Sequence, residues 1–276
     1  MNFTAKLDTA SLLRPAVLAV LIVPAAWMAL DFATGQLSAR PVDRAIHDIG
    51  SWTLRFLLLS LAVTPLRQVF HWPRLATVRR RIGVAAFCYA ALHFTLYTAD
   101  QKFDPAKIFS EIVLRFYLTI GFVAFSALLA LAVTSTDGMA RRMGGRAWRR
   151  LHWLAYPAAV LGIVHFFLQA KVDNSEPMLW AGILGWLLLY RLVLRWRGEV
   201  TLPAVTALGI AVGAAVIAAE MAVFWFKFGV PPLRALQAMI MVEAGLRPGV
   251  TVLAVGLAVV LAAWTRSRRL PALSGA

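Results

Sequence analysis

Residues 151–169 read LHWLAYPAAVLGIVHFFLQ. The stretch is long enough and apolar enough to cross the hydrocarbon core of a bilayer. It nevertheless carries two histidines, His152 and His165. An ionisable side chain inside a membrane span is costly and marks a functional position by default. A third histidine, His93, lies in another apolar stretch, IGVAAFCYAALHFTLYTA at 82–99. Three imidazoles in membrane spans, with no chain of carboxylates beside them, point to iron rather than to a proton relay. Haem iron takes histidine as an axial ligand, and the interior of a helix bundle is where such a cofactor sits.

The rest of the composition agrees with a membrane protein. The chain has 276 residues, 61% of them hydrophobic, and a mean hydropathy of +0.73, far above an ordinary soluble domain. A net charge of +15 in a soluble protein would suggest a nucleic-acid partner. Here the basic residues cluster between apolar stretches, as they do in cytoplasmic loops, so the partner they indicate is the lipid bilayer and no nucleic acid. Cys88 is the sole cysteine, which excludes an intrachain disulfide. No C-x-x-C-H occurs, so any haem is held non-covalently. At the N-terminus Lys6 and Arg14 precede an apolar run at 15–30. That run is long for a signal peptide and no A-x-A site follows, which reads as an uncleaved first span. No G-x-G-x-x-G, P-loop or cysteine cluster is present.

Eight spans follow from the apolar runs: 15–32, 51–69, 82–99, 116–134, 151–169, 178–194, 203–226 and 249–264. The expected fold class is all-α, a polytopic transmembrane helix bundle. The loops at 67–81 and 135–150 are strongly basic, whereas 33–50 and 100–113 mix signs. Placing the basic loops, the N-terminus, 191–200 and the tail on one side collects most of the 28 Lys and Arg residues there. That orientation puts both termini in the cytoplasm. Residues 231–246, PPLRALQAMIMVEAGL, are expected to form a short interfacial helix.

Depth sharpens the haem argument. The third and fifth spans run in the same direction. His93 lies roughly 17 Å along its span and His165 roughly 21 Å along its own, at 1.5 Å per residue. Two imidazoles at one depth on facing helices can clamp one haem from both sides. His152 lies roughly 20 Å nearer the cytoplasm. It is either the ligand of a second haem or a solvated interfacial histidine. A second haem lacks an obvious partner ligand, because the position thirteen before His93 is Arg80. Pro157, between His152 and His165, can kink the span and change their relative direction. An intramembrane histidine that merely hydrogen-bonds a neighbouring helix is the bland alternative for all three. His47 and His71 are loop residues.

The arginines also have two readings. Arg79, Arg80 and Arg81, and the cluster 146–150, suit haem propionates or a flavin phosphate, or simply set topology and meet anionic head groups. Arg55 lies in the second span with no basic cluster nearby. It either snorkels to the outer surface or meets a propionate of the outer haem. Glu220 is a lone carboxylate in the seventh span, expected near its outer end. Gly209 and Gly213 form a G-x-x-x-G, read as a packing face.

Four motifs in order carry a resemblance: GSWTLRFLLLSLAVTPLR (50–67), RRRIGVAAFCYAALHFTLY (79–97), RFYLTIGFVAFSALLALAVTST (115–136) and WRRLHWLAYPAAVLGIVHFF (148–167). Together they resemble the MsrQ (YedZ) family of the ferric-reductase-like transmembrane group, over roughly residues 10–195. The resemblance implies a ferric-reductase-like six-helix core within residues 1–197, a haem-binding transmembrane domain. Residues 198–276 are then a C-terminal extension with two further spans. It implies a b-haem subunit of the bacterial inner membrane, an electron carrier rather than a stand-alone catalyst. One or two haems b would be held by His93, His152 and His165. Electrons would arrive from a cytoplasmic flavin reductase or the quinone pool. They would leave to a periplasmic MsrP-type molybdopterin subunit that repairs methionine sulfoxide. FMN is implied by the resemblance alone, since no flavin motif is visible. Pro157 and the two extra spans depart from the family pattern. The rival readings are a transmembrane ferric or cupric reductase, and a transporter or scaffold without haem. The transporter is disfavoured by the lack of a clear internal repeat.

Overall fold

Backbone polar groups in a bilayer must be satisfied within the segment that spans it, which leaves the helix as the element available to apolar runs of this length. The computed structural model describes residues 9–36, 40–170, 173–240 and 246–269, and among them every regular element is helical. The helices are α1 (Thr9–Ala33), α2 (Pro41–Val69), α3 (Arg79–Asp100), α4 (Pro105–Leu114), α5 (Phe116–Val133), α6 (Asp137–Met143), α7 (Gly145–Leu151), α8 (Ala155–Gln169), α9 (Ser175–Arg197), α10 (Leu202–Phe228), α11 (Pro232–Ile240) and α12 (Pro248–Arg269). Among the described residues, eight runs are long and apolar enough to cross a membrane, the fifth comprising α7 and α8 together. The chain is therefore a multi-pass membrane protein, all-α as expected.

Three elements differ from the sequence reading. α2 begins at Pro41, ten residues before the expected start of the second span. Proline is tolerated in a first helical turn because the N–H it lacks has no intrahelical partner there. An Arg44–Asp48 pair at 3.1 Å supports the polar turns that follow. Arg55 consequently sits midway along a 29-residue helix. Second, the mixed-charge loop at 100–113 contains α4. Asp104 caps it by accepting the backbone N–H groups of Ala106 and Lys107 at 3.0 and 3.1 Å, and Pro105 opens the first turn. Third, the fifth span is interrupted. Residues His152–Leu154 form a 3₁₀ turn between α7 and α8. Pro157 has no N–H and its ring crowds the carbonyl four residues earlier, at Trp153, which weakens the α-helical ladder at this point. The short helix expected within 231–246 is α11; residues 241–245 lie outside those described.

The described residues form two compact units. The first takes those up to Thr64 together with Pro73–His165, and the second takes Pro65–Trp72 together with those from Phe166 onward. The boundary expected at 197/198 falls inside the second unit.

In the first unit α2 is the most buried span, with Ile49, Leu58 and Leu61 at 2% exposure or less. Tyr89 of α3 inserts its hydroxyl into α1: it donates to the Leu21 carbonyl at 2.8 Å and accepts the Ala25 N–H at 2.9 Å. These are the two groups that would otherwise pair across one helical turn. Phe94 of α3 stacks on Phe125 of α5 with centroids 5.1 Å apart.

The second unit packs α9, α10 and α12 around Trp186, Tyr190, Val205, Val212, Val216 and Val252. Gly209 and Gly213 are indeed a packing face. A Cβ added at Gly209 would lie 3.6 Å from the Gly256 Cα, and one at Gly213 would lie 2.3 Å from the Leu253 Cγ. Glu220 of α10 is buried, at 1% exposure.

Candidate functional site

α3 and α8 bring His93 and His165 together in the first unit. Their ring centroids are 6.4 Å apart and their planes are at 84°. Each ring is anchored by its Nδ1. That of His93 lies 2.8 Å from the Ile46 carbonyl of α2, and that of His165 lies 2.8 Å from the Tyr117 carbonyl of α5. A carbonyl can only accept, so the proton is on Nδ1 in both rings and the Nε2 lone pair is left for a ligand. This is the arrangement that fixes the tautomer of a metal-ligating histidine.

The separation can be tested against iron. A metal–imidazole bond is about 2 Å and Nε2 lies about 1 Å from the ring centroid, so two imidazoles on opposite sides of one metal have centroids roughly 6 Å apart. The observed 6.4 Å meets that requirement. Among the described residues no group of three or more His, Cys, Asp or Glu side chains converges. Two neutral nitrogen ligands alone suit a metal whose other positions are filled by a macrocycle, as in haem.

His152 sits on the 3₁₀ turn, at the wall of a cavity in the same unit. The cavity has a volume of about 400 Å³ and is lined by Arg79, Arg80, Arg149, Ser135 and Trp148, among others. The His152 Nδ1 lies 2.9 Å from the Trp148 carbonyl, and the Trp148 indole stacks on the imidazole with centroids 3.7 Å apart. The indole Nε1–H in turn donates to the Thr134 carbonyl at 2.8 Å. With its proton on Nδ1, the imidazole presents a bare Nε2, 3.4 Å from the Ser135 Oγ. That hydroxyl already donates to the Leu131 carbonyl at 2.7 Å. The contact therefore joins two acceptors, and the Nε2 lone pair has no proton donor from Ser135. Such a nitrogen suits a metal or a donor from a bound molecule.

The expected arginines take different places. Arg79 and Arg80 line the cavity. Arg80 also pairs with Asp137 of α6, whose carboxyl is held below the usual carboxylate range by that guanidinium. Arg81 instead donates to the Thr77 carbonyl at 3.1 Å. Arg55 lies 4.6 Å from the centroid of the Trp52 ring, a cation–π contact within α2. Sequence reasoning missed Ser135, Trp148 and the two glycines that face the paired imidazoles, Gly50 and Gly121. Both glycines stand in the quoted motifs, but a helical glycine carries no signal of what packs on it.

The comparisons with known proteins fit this geometry. Residues 49–163 match the model of the ferric reductase like transmembrane component. Curated relatives carry the name protein-methionine-sulfoxide reductase heme-binding subunit MsrQ. The one from Rhodospirillum rubrum is 47% identical over 181 residues, covering 65% of this chain and 87% of that protein. The one from Caulobacter vibrioides is 40% identical over 179 residues, 64% of this chain and 84% of that protein. The one from Herminiimonas arsenicoxydans is 38% identical over 200 residues, 71% and 92% respectively. No solved structure matches the chain. Eight membrane-crossing helices, paired intramembrane imidazoles and relatives matched over most of their length agree: the chain belongs to the MsrQ family, within the ferric-reductase-like membrane proteins.

Proposed function

We propose that this protein is the b-haem membrane subunit of a protein-methionine-sulfoxide reductase system, carrying electrons outward across the bacterial inner membrane. The observation that carries the reading is the His93–His165 pair, 6.4 Å apart with each Nδ1 tied to a carbonyl. These two residues would hold the outer haem. His152, with Arg79 and Arg80, forms the inner cofactor site, where the arginines meet propionates or a flavin phosphate. FMN at that site rests on family resemblance alone. Haem supplies one-electron chemistry when bound. The chain's own residues would bind it, with the Ile46 and Tyr117 carbonyls orienting the two imidazoles.

Both termini lie in the cytoplasm, the side on which the basic loops cluster. The donor is a cytoplasmic flavin reductase or a quinol, and the acceptor is a periplasmic MsrP-type catalytic subunit. Residues 1–197 form the haem-binding domain and 198–276 an extension of it.

The test is the optical spectrum of the purified protein, oxidised and dithionite-reduced, with a pyridine haemochrome count. Low-spin b-haem bands, lost in His93→Ala and in His165→Ala, are expected. A count near two per chain, falling to one in His152→Ala, gives the inner site its haem. Reduced protein is expected to be reoxidised by a periplasmic molybdopterin methionine-sulfoxide reductase and not by ferric citrate. The reverse preference makes the protein a ferric reductase. A well-folded, colourless protein from haem-replete cells sinks the reading.

A further inference from the structure

The two anchored imidazoles are built alike. His93 hydrogen-bonds the carbonyl of Ile46, and four residues on from that carbonyl stands Gly50. His165 hydrogen-bonds the carbonyl of Tyr117, and four residues on stands Gly121. In an α-helix residues i and i+4 share a face, one turn apart. Each imidazole therefore lies in a notch of the neighbouring helix, with the carbonyl above and a glycine beneath. A carbonyl oxygen has two lone pairs, so it can serve its own helix and the imidazole together.

The notch is tight. A Cβ at Gly50 would stand 2.9 Å from the His93 Nδ1, and one at Gly121 would stand 2.8 Å from both Nδ1 and Cε1 of His165. At these distances either the ring or the helix must shift to admit a methyl group. The device occurs twice, on different helix pairs, α2 with α3 and α5 with α8. In contrast, a Cβ at Gly185 of α9 meets nothing within 4 Å.

We propose that Gly50 and Gly121 are positioning residues that, with the Ile46 and Tyr117 carbonyls, hold the two imidazoles in nearly perpendicular planes and so set the electronic structure of an iron held between them. The inference rests on the haem reading above. Each axial imidazole interacts by π overlap with the iron d orbital whose lobes face its ring. Parallel rings raise the same orbital and split the pair. Rings at 84° raise one orbital each and leave the pair nearly equal in energy. A low-spin ferric ion with its hole shared by two such orbitals keeps orbital angular momentum, and its g values become strongly anisotropic. Hydrogen bonding to axial ligands and their orientation are among the ways a protein tunes haem. No other chemistry is asked of the glycines.

The experiment is low-temperature EPR of the full-length ferric protein, with haem content and midpoint potential measured on the same samples. The expected wild-type spectrum has a highly anisotropic, large-gmax signal that is absent in His93→Ala and kept in His152→Ala. In Gly50→Ala and Gly121→Ala that signal is expected to move towards the rhombic pattern of parallel rings with a shifted potential, or the outer haem to be lost from protein that still elutes as a single folded species. Gly185→Ala is expected to behave as wild type. A rhombic wild-type signal lost in His93→Ala overturns the proposal while leaving the haem reading intact. Unaltered spectra and potentials in both glycine variants also overturn it. Absence of haem from folded wild-type protein overturns the haem reading itself. Should the glycine variants fail to fold, the wild-type spectrum still decides the ring geometry.

Discussion

Glu220 illustrates what a single residue needs in order to be charged inside an apolar bundle. One carboxylate oxygen accepts from the Arg247 Nε and Nη2 at 3.2 and 3.1 Å, and the other accepts the Gly249 backbone N–H at 2.9 Å. The Arg247 guanidinium also lies 5.1 Å from the Phe224 ring centroid. Every part of the charge is thereby met, including by an amide in the first turn of α12, where the helix dipole favours an anion. Arg247 is partly exposed, but its removal would leave the Glu220 carboxylate, at 1% exposure, buried without its cation. Arg247→Ala is expected to lower stability by about 3 kcal/mol in a denaturant titration in detergent. The double change Glu220→Leu with Arg247→Met is expected to cost less than the sum of the single changes. Strictly additive losses would show that the two side chains are uncoupled. Arg55 was legible as a charge within an apolar run but not as a partner of Trp52, because which neighbour a long side chain folds onto is a matter of its rotamer.

Among the helices, α10 and α12 approach most closely where glycines line the contact. A Cβ at Gly249 would meet the backbone N and Cα of Ile217 at 2.8 and 3.1 Å as well as its Cγ1. Backbone cannot rotate out of the way as a side chain can, so Gly249→Ala must part the two helices. It is expected to cost about 1–3 kcal/mol, the usual penalty for overpacking a dense contact. Gly185→Ala, in open space, is expected to be neutral or stabilising by up to about 1 kcal/mol, since alanine is the better helix former. Equal effects of the two in thermal unfolding would show that α10 and α12 do not depend on that close approach. The spans themselves were readable from hydropathy because the bilayer demands length and apolarity. The short α4 was hidden by its mixed charges, although Asp104 followed by Pro105 is a capping signal that composition-led reading passes over. The break at His152–Leu154 was foreshadowed by Pro157, but its form, a 3₁₀ turn rather than a kinked helix, was not.

At the scale of the whole molecule, the proposed outward electron flow would require the His93–His165 pair to lie near the outer face and the His152 cavity near the inner one. In a Cys88→Ala background, a cysteine placed at Lys107 is expected to react with an impermeant maleimide added to intact spheroplasts. A cysteine at Arg142, in the basic 135–150 connection, is expected to react only after lysis. The opposite pattern would invert the proposed direction. The grouping of helices was less legible than their number. α9 belongs to the six-span core by resemblance, yet its Trp186 and Tyr190 pack in one compact unit with α10 and α12. Hydropathy alone does not say which apolar face meets which, since lipid and a neighbouring helix look equally favourable to leucine and valine.

The sequence by itself determined the class of molecule: apolar runs of membrane length, basic residues gathered in alternate loops, and histidines set within apolar runs. Those are properties of single segments facing a solvent of fixed thickness. Only the tertiary structure decided which nitrogen of each imidazole is free, that His93 and His165 stand 6.4 Å apart at 84°, that glycines make room for them, and that Glu220 is answered by Arg247. Each of these depends on the rotation and close approach of helices distant in the chain. That packing is set by small residues and carbonyl positions whose role no one-dimensional pattern records.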